Sequence, residues 1–300
     1  MALTYSSRVG HCRFRRGSHA DNGNVKQWSR HMDNKHKPVR SRIMAGLLGL
    51  GIAGLVSLAP ASPASAQSAE NQGAMPMPEF TIYHLEGRRS ERLVWLMEEL
   101  GLPYTLAFER GDLMASMAAI RAINPSMPVA PTVTYGDQVL VESGAIIEMI
   151  LARHGEGELV PPLTSPDFAT HLLWMHYSEG SLAARAIADY RVWQIQPPTQ
   201  RSPLVDSEQV VQFAENFLSE KPWFGGDEFS AADIMMLFPL NFAFQLNIVD
   251  ASLFPQLSAW MEKVQARPAY QRMLAKARPD GMVGSLPALP AHAPSGPRNR

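Results

Sequence analysis

Cysteine is almost missing from this chain of 300 residues, since the only one is Cys12. A single thiol near the N-terminus leaves the rest of the chain without a disulfide framework, a C-x-x-C redox pair or a cysteine-based zinc site. Three hundred residues suit one large domain or two small ones. Chemistry downstream of Cys12 must therefore depend on other side chains, and no metal is expected.

An excess of positive charge is also missing from most of the chain. Residues 1–66 hold ten of the 27 Lys and Arg but only two of the 28 Asp and Glu, which leaves the remainder with a net charge of about −9. Binding to nucleic-acid phosphates needs a basic surface. The charge distribution therefore argues against nucleic acid as the main partner.

A long apolar run is absent as well. The stretch that comes nearest to the length of a membrane-spanning helix is residues 43–58. It is uncharged and Gly-rich, it follows the basic stretch "NKHKPVRSR", and small residues with an A-x-A pattern at 64–66 come after it. This order is typical of a secretory signal peptide and predicts an exported, periplasmic protein. Residues 1–31 are too long for an ordinary n-region, so translation could begin at Met32 or Met44.

Two alternatives to export stay open. An uncleaved segment 43–58 would anchor the chain in a membrane. Translation could instead start at Met75 or Met77, which would give a cytoplasmic protein without the leader.

Strand and helix patterns alternate between residues 79 and 157, after a linker at 67–78. Strands are predicted at "FTIYHL", "PYTLAFE", "PTVTY" and "QVLVES", and helices at residues 90–100, 113–123 and 145–154. The order is βαβ followed by αββα. A helix connects the first two strands, and such a crossover connection predicts a parallel pair. The short Gly136-Asp137 turn predicts that the last two strands form an antiparallel hairpin. The prediction is a small α/β domain with a mixed sheet.

Strand signals stop after residue 162, and residues 158–280 are predicted to form an all-helical domain. Apolar residues recur at helical spacing in 168–190, 206–219, 231–245 and 257–275. "EFSAADIMM" predicts a helix start in which Ser230 caps the helix and Asp233 reaches back to it. Pro239 predicts a kink within that helix. The Pro- and Ala-rich residues 281–300 are predicted to be disordered.

Three motifs in this order resemble those of the glutathione S-transferase superfamily over Glu79 to about Asp280. They are "YHLEGRRSERLVWLMEELGLPY", "APTVTYGDQVLVESGAII" and "FSAADIMM". The first motif and "WMHYSEGSL" look most like the bacterial and fungal branch, which has an S-R-S turn before its first helix. The resemblance implies a thioredoxin-like N-terminal domain followed by an all-α domain, glutathione as co-substrate, and a homodimer.

The resemblance assigns the glutathione-binding residues. Glu142 and Ser143 would hold the γ-glutamyl end, since its α-carboxylate suits a helix N-terminus and a hydroxyl, and its α-ammonium suits a carboxylate. Pro131 matches the family's cis-proline, which turns the backbone of Ala130 towards the cysteinyl part. A simple N-cap role for Ser143 and a trans edge proline are the structural alternatives.

The residue that activates the glutathione thiol is left open by the sequence. A free thiol has a pKa near about 8.5, so an enzyme gains by lowering it with a hydroxyl, a cation or a helix N-terminus. The family's first S-R-S serine is replaced here by Arg88, Ser90 matches the second serine, and Tyr83 matches the tyrosine of other classes. A backbone N–H or a water is a further alternative. Classes that depend on a cysteine are excluded, because nothing follows Cys12.

The pocket for the second substrate is expected between the domains. Candidates are Trp174, Tyr177, Arg185, Tyr190 and Trp193, and Tyr177 and Arg185 could share one helix face because they are eight residues apart. The substrate would be a small apolar electrophile.

The loop "NPSMPVAP" departs from the family, since it lacks the usual basic residue before the proline. Glutathione would then bind more weakly, or Arg121 would substitute. A transferase is the first functional reading. A non-catalytic protein that binds glutathione or a hydrophobic ligand is the alternative, and a partner-docking role with a decayed site is a third.

Overall fold

Strands and helices alternate from Phe80 to His154 in the computed structural model, which describes residues 76–198 and 205–290. The elements are β1 (Phe80–Tyr83), α1 (Glu91–Leu100), β2 (Thr105–Ala107), α2 (Leu113–Ile123), β3 (Thr132–Tyr135), β4 (Gln138–Val141) and α3 (Ser143–His154). The strand order is β2-β1-β3-β4. β1 and β2 are parallel and the other pairs are antiparallel, which confirms the predicted mixed sheet. The tail and signal-like segment predicted at 1–66 lie outside the described residues.

The strand register brings three chain segments to one edge of the sheet. Tyr83, the last residue of β1, lies opposite Thr132, the first residue of β3. Thr132 in turn lies opposite Val141, the last residue of β4. The loop from β1 to α1, the residues before β3 and the β4–α3 junction therefore meet at this edge.

Helices follow α3, as predicted, and no further strand is found in the described part of the chain. They are α4 (Asp167–Tyr177), a π-helical segment (Ser178–Ala183), α5 (Ala184–Ile195), α6 (Ser207–Leu218), α7 (Ala231–Gln245), a 3₁₀ turn (Ala251–Leu253), α8 (Pro255–Gln265) and α9 (Pro268–Ala277). The single helix predicted at 257–275 is wrong. Arg267 has an extended ψ of 135°, because a residue before proline avoids the helical region, and Pro268 starts a new helix.

Helix α1 is buried on both sides and belongs to the core of both domains. It contacts α3 on one side and α7 and α9 on the other. Trp95 packs edge-to-face on Tyr270 of α9 with ring centroids 5.0 Å apart. Glu98 and Glu99 in the last turn of α1 are paired with Arg272 and Arg267. A side chain on α1 can therefore act on both domains.

The predicted capping box at the start of α7 is confirmed. Ser230 Oγ accepts from Ala232 N, and the Asp233 carboxylate accepts from Ser230 N at 2.9 Å. Asp233 is fully buried, and it also accepts from Phe224 N (2.9 Å) and Trp260 Nε1 (2.8 Å). Asp233 thus joins three separate segments of the helical domain.

The first half of the C-terminal tail differs from its prediction. Disorder is predicted for 281–300, yet residues 281–290 follow the surface of the helical domain. Leu289 is buried, its N–H donates to Leu246 O, and its carbonyl oxygen accepts from the Asn247 side-chain amide. The Tyr190 hydroxyl donates to Pro287 O at 2.9 Å. Side chains of other segments hold this part of the tail, so no periodic pattern in its own sequence could predict its order. Residues 291–300 lie outside the described residues.

Candidate functional site

The β4–α3 junction combines a hydroxyl, a carboxylate and a helix N-terminus. Ser143 is the first residue of α3 and is 4 % exposed. Glu142 is exposed and has φ 71°, in the left-handed region that favours glycine. A non-glycine residue in such a conformation costs about 1–3 kcal/mol and is typical of functional sites. The first N–H groups of α3 have no intrahelical acceptor, so the junction suits an anion.

The peptide bond between Ala130 and Pro131 is cis, as the resemblance implied. Pro131 immediately precedes Thr132, which lies opposite Tyr83 in the sheet. The Thr132 hydroxyl donates to Val129 O at 2.7 Å and fixes the approach to this turn. The backbone of Ala130 therefore lies at the same edge of the sheet as the β4–α3 junction.

Arg92 of α1 links this junction to the helical domain, and the sequence analysis missed it. Its Nη1 donates to Ser143 Oγ (3.0 Å) and to Glu179 Oε1 (2.5 Å), and its Nη2 donates to Met235 O (2.6 Å). Arg89 also binds Glu179, through two hydrogen bonds of 2.7 and 2.8 Å. Burial lowers the pKa of Arg92 to about 10, and Glu179 keeps it charged. Arg92 and Glu179 lie in two of the sequence stretches on which the resemblance rests, but only the fold brings them together.

The Ser90 hydroxyl is turned inwards. It is fully buried, it accepts from Leu85 N (3.1 Å), and it lies 2.8 Å from His84 Nδ1. His84 Nε2 lies 2.8 Å from Ala277 O, so Nε2 carries the proton and Nδ1 accepts from Ser90. Burial lowers the pKa of His84 and keeps the ring neutral. The single hydroxyl proton of Ser90 is therefore already used inside the protein.

Tyr83 and Arg88 have fewer interactions with the rest of the protein than Ser90 has. The Tyr83 side chain is half-buried at the end of β1, and its hydroxyl has no hydrogen-bond partner in the part of the chain that the structure describes. Arg88 donates to the carbonyl oxygens of Gly87 and Gly284, both at 3.2 Å. No carboxylate of the described residues pairs with Arg88. Its guanidinium can therefore still act on an anion.

A cavity of about 510 Å³ lies between the two domains. Its wall is formed by the β1–α1 loop, by α1, α5, α7 and α9, and by the tail segment that follows α9. Arg88 lines it, whereas Tyr83, Glu142 and Ser143 do not. Trp95, Phe238 and Tyr270 give it a largely apolar and aromatic surface.

The structure does not bring Trp174, Tyr177 or Arg185 to this cavity, and Tyr190 alone among the residues predicted for the second-substrate pocket lines it. Trp174 is 1 % exposed and packs among aromatic rings of the helical core. The Tyr177 hydroxyl donates to Val210 O, and Arg185 pairs with Asp189. A π-helical segment separates Tyr177 from Arg185 and changes the helical phase, so the eight-residue spacing does not place them on one face.

Residues 76–198 and 205–290 contain neither a cluster of metal ligands nor an apolar helix of membrane-spanning length. No group of three or more His, Cys, Asp or Glu side chains there could hold a metal ion. No helix in those ranges combines the length and the apolar character that a membrane span needs.

Comparison with known proteins agrees with this geometry. A family profile described as "Glutathione S-transferase, C-terminal domain" matches residues 195–268. The chain is 29% identical over 206 residues to glutathione S-transferase 3 of Schizosaccharomyces pombe, an alignment that covers 63% of this chain and 84% of that protein.

Solved structures give the same result. A theta class glutathione S-transferase from Xanthomonas axonopodis, solved with glutathione bound, is 28% identical with a TM-score of 0.53. The match covers 67% of this chain and 99% of that one. A glutathione S-transferase from Actinobacillus pleuropneumoniae is 25% identical with a TM-score of 0.57, over 68% and 94% of the two chains.

The fold and the site define a two-domain protein with a thioredoxin-like α/β domain and an all-helical domain. The match to the helical domain and the matches to relatives over about two thirds of the chain support a resemblance to the glutathione S-transferase superfamily.

Proposed function

We propose that the protein is a glutathione transferase that activates the glutathione thiolate for attack on an apolar electrophile. The observation that carries this proposal is that the α3 N-terminus and cis-Pro131 lie at one sheet edge, and that Arg92, which donates to Ser143 Oγ there, also lines the apolar cavity together with Arg88. In the reaction the sulfur forms a bond to an electrophilic carbon. The leaving group departs with its electron pair, and the thiol proton goes to solvent.

The γ-glutamyl end of glutathione would bind at the β4–α3 junction. Its α-carboxylate would accept from the α3 N–H groups and from the Ser143 hydroxyl. Arg92 already donates to Ser143 Oγ, and the hydroxyl proton has only a weak acceptor, Met235 Sδ at 4.0 Å, so it would turn to the ligand's carboxylate. The carboxylate of Glu142 is exposed and would pair with the α-ammonium.

Arg88 is the best candidate for stabilising the thiolate. It lines the cavity, it is a cation without a carboxylate partner in the described part of the chain, and it stands where the family's branch has its catalytic serine. Tyr83 stays a second candidate, because its hydroxyl is free to donate. Ser90 is disfavoured as the group that stabilises the thiolate, because its hydroxyl already donates a hydrogen bond to His84 Nδ1.

The Arg88→Gln variant is expected to raise the pKa of bound glutathione's thiol by about one unit, since a nearby cation favours the thiolate. Ultraviolet absorbance of the thiolate, followed across pH on the full chain, measures this. Arg185→Gln is the matched control, because Arg185 pairs with Asp189 and does not line the cavity. A rise in Tyr83→Phe with none in Arg88→Gln would assign the role to the tyrosine instead.

The Ser90→Ala variant is expected to lose stability while it keeps the thiol pKa. Removal of the hydroxyl leaves the buried His84 Nδ1 and Leu85 N without a partner, which lowers the free energy of unfolding by about 1–3 kcal/mol. Urea denaturation gives the stability, and the same ultraviolet titration gives the pKa. A folded variant whose bound thiol titrates well above the wild type would show that Ser90 does reach the thiol.

A non-catalytic protein that binds glutathione or a hydrophobic ligand is the second candidate. The observation that favours it is the replacement of the branch's catalytic serine by Arg88, with Ser90 turned inwards. The titration separates the two readings. Binding with a thiol pKa near about 8.5 would support a carrier, and a lowered pKa supports a transferase.

Export and assembly into a homodimer are further parts of this proposal. Export is supported by the basic, apolar and A-x-A pattern within residues 1–66. The homodimer is supported by the superfamily alone, and sedimentation of the purified protein tests it.

A further inference from the structure

Positive side chains outnumber negative ones at the wall of the cavity. Five arginines and one acidic residue line it, namely Arg88, Arg89, Arg92, Arg191, Arg278 and Glu91. The rest of the wall is mainly apolar. An apolar cavity with this balance of charge would repel cations and favour an anion.

Three of these arginines already have a carboxylate partner, although two of them share one. Arg278 pairs with Glu91. Arg89 and Arg92 share Glu179. Arg88 and Arg191 remain, and neither pairs with a carboxylate among the residues that the structure describes. If Arg88 serves the thiolate, Arg191 is the cation left over for the second substrate.

Two other polar side chains that lack partners line the same cavity as Arg191. Arg191 follows Tyr190 on α5, and the Tyr190 ring contacts Phe242 of α7 with centroids 5.7 Å apart. Asn241 and Gln245 on the same helix line the cavity, and their amides have no hydrogen-bond partner in the described ranges. A guanidinium without a carboxylate partner and two free amides in one mainly apolar cavity match a ligand with one anionic group.

We propose that the cavity takes an apolar electrophile that carries a carboxylate, and that Arg191 selects for this charge. The inference rests on the proposed transferase function, whose thiolate supplies the new carbon–sulfur bond. With an aryl chloride, the sulfur replaces chloride, which leaves with the bonding electron pair, and the substrate's carboxylate is unchanged. Arg191 is thus a specificity residue and does not take part in bond making.

The test compares a chlorodinitrobenzoate with its neutral methyl ester as substrates of the full chain. The Arg191→Gln variant is expected to lose roughly fivefold in kcat/KM for the benzoate, the upper range for an ion pair that solvent reaches. Its kcat/KM for the ester and its KM for glutathione should not change. Arg185→Gln, on the same helix but away from the cavity, is expected to match the wild type with both substrates.

Two results would overturn the proposal. An equal loss with benzoate and ester would mean that Arg191 does not read charge. A higher KM for glutathione would mean that Arg191 binds a carboxylate of the peptide rather than the electrophile.

A binding measurement keeps the inference separate from the proposed function. If no variant turns over either substrate, calorimetry with decanoate and decanol still reports on the cavity. Tighter binding of decanoate by the wild type, lost in Arg191→Gln and kept in Arg185→Gln, would support charge selection even though the transferase proposal had failed. Equal binding of acid and alcohol by the wild type would overturn it.

Discussion

Replacing Asp233 with alanine is expected to lower the free energy of unfolding by about 3–5 kcal/mol. The carboxylate accepts hydrogen bonds from Ser230 N, Phe224 N and Trp260 Nε1, and it is fully buried. Alanine would leave three donors without acceptors in a region that water does not reach. Urea denaturation followed by tryptophan fluorescence measures the change, and a loss below about 1 kcal/mol would contradict this account.

The Asp233→Asn variant is the isosteric control. Its amide oxygen can keep two of the three hydrogen bonds, but its NH₂ would face a donor, so an intermediate loss is expected. Burial raises the pKa of Asp233 to about 6 from the ordinary value of 3.8. The folded state then holds this proton more tightly than the unfolded chain, so the aspartate's contribution to stability falls as the pH rises from about 4 to about 6. The difference in unfolding free energy between wild type and Asn variant should change in that window and be level above it.

Local patterns predicted much of the molecule. The capping box at Ser230 and Asp233 could be predicted because its two partners are three residues apart, and the hairpin because a Gly-Asp turn separates two strands. The third role of Asp233, as acceptor for Trp260 Nε1, joins residues 27 positions apart. No local pattern carries that information.

The candidate site shows the same limit. The Glu142-Ser143 pair and the cis-proline were predicted from motifs, and the register that brings them together follows from the mixed sheet. Of the pocket residues predicted from the sequence, only Tyr190 lines the cavity, and the shared face predicted for Tyr177 and Arg185 assumed an unbroken α-helix from 168 to 190. The π-helical segment at Ser178–Ala183 changes which side chains face the cavity. The sequence of this segment did not predict a π-helix.

Arg92 is the most consequential residue that the sequence did not indicate, and the Arg92→Met variant tests its role. The substitution removes the group that donates hydrogen bonds to Ser143 Oγ and to Met235 O. Arg92 is only 2 % exposed, so water cannot easily replace these donors. Because both acceptors stay buried, the free energy of unfolding is expected to fall by about 3 kcal/mol. Arg92→Lys keeps the charge but cannot form the same fork of hydrogen bonds, so its loss should be smaller.

The same change is expected to weaken glutathione binding about tenfold, because a lost hydrogen bond to a charged group is worth about 1.5–3 kcal/mol. While Arg92 donates to Ser143 Oγ, the hydroxyl must act as a donor, and the ligand's carboxylate would replace its weak acceptor Met235 Sδ. Without Arg92 the hydroxyl can turn away, and the site also loses a buried positive charge. Calorimetry below the unfolding range of each variant measures the affinity, and a folded Arg92→Met protein that binds glutathione normally would remove Arg92 from the site.

A double-mutant cycle separates this role from a general loss of structure. If Arg92 acts on glutathione through Ser143, then Ser143→Ala should weaken binding by itself, and adding Arg92→Met should weaken it by less than the product of the two single effects. If Arg92 only holds the domains together, through Glu179 and Met235 O, the two effects on affinity should multiply. The contact of 3.0 Å between Arg92 Nη1 and Ser143 Oγ favours the first result, since groups in direct contact are expected to couple.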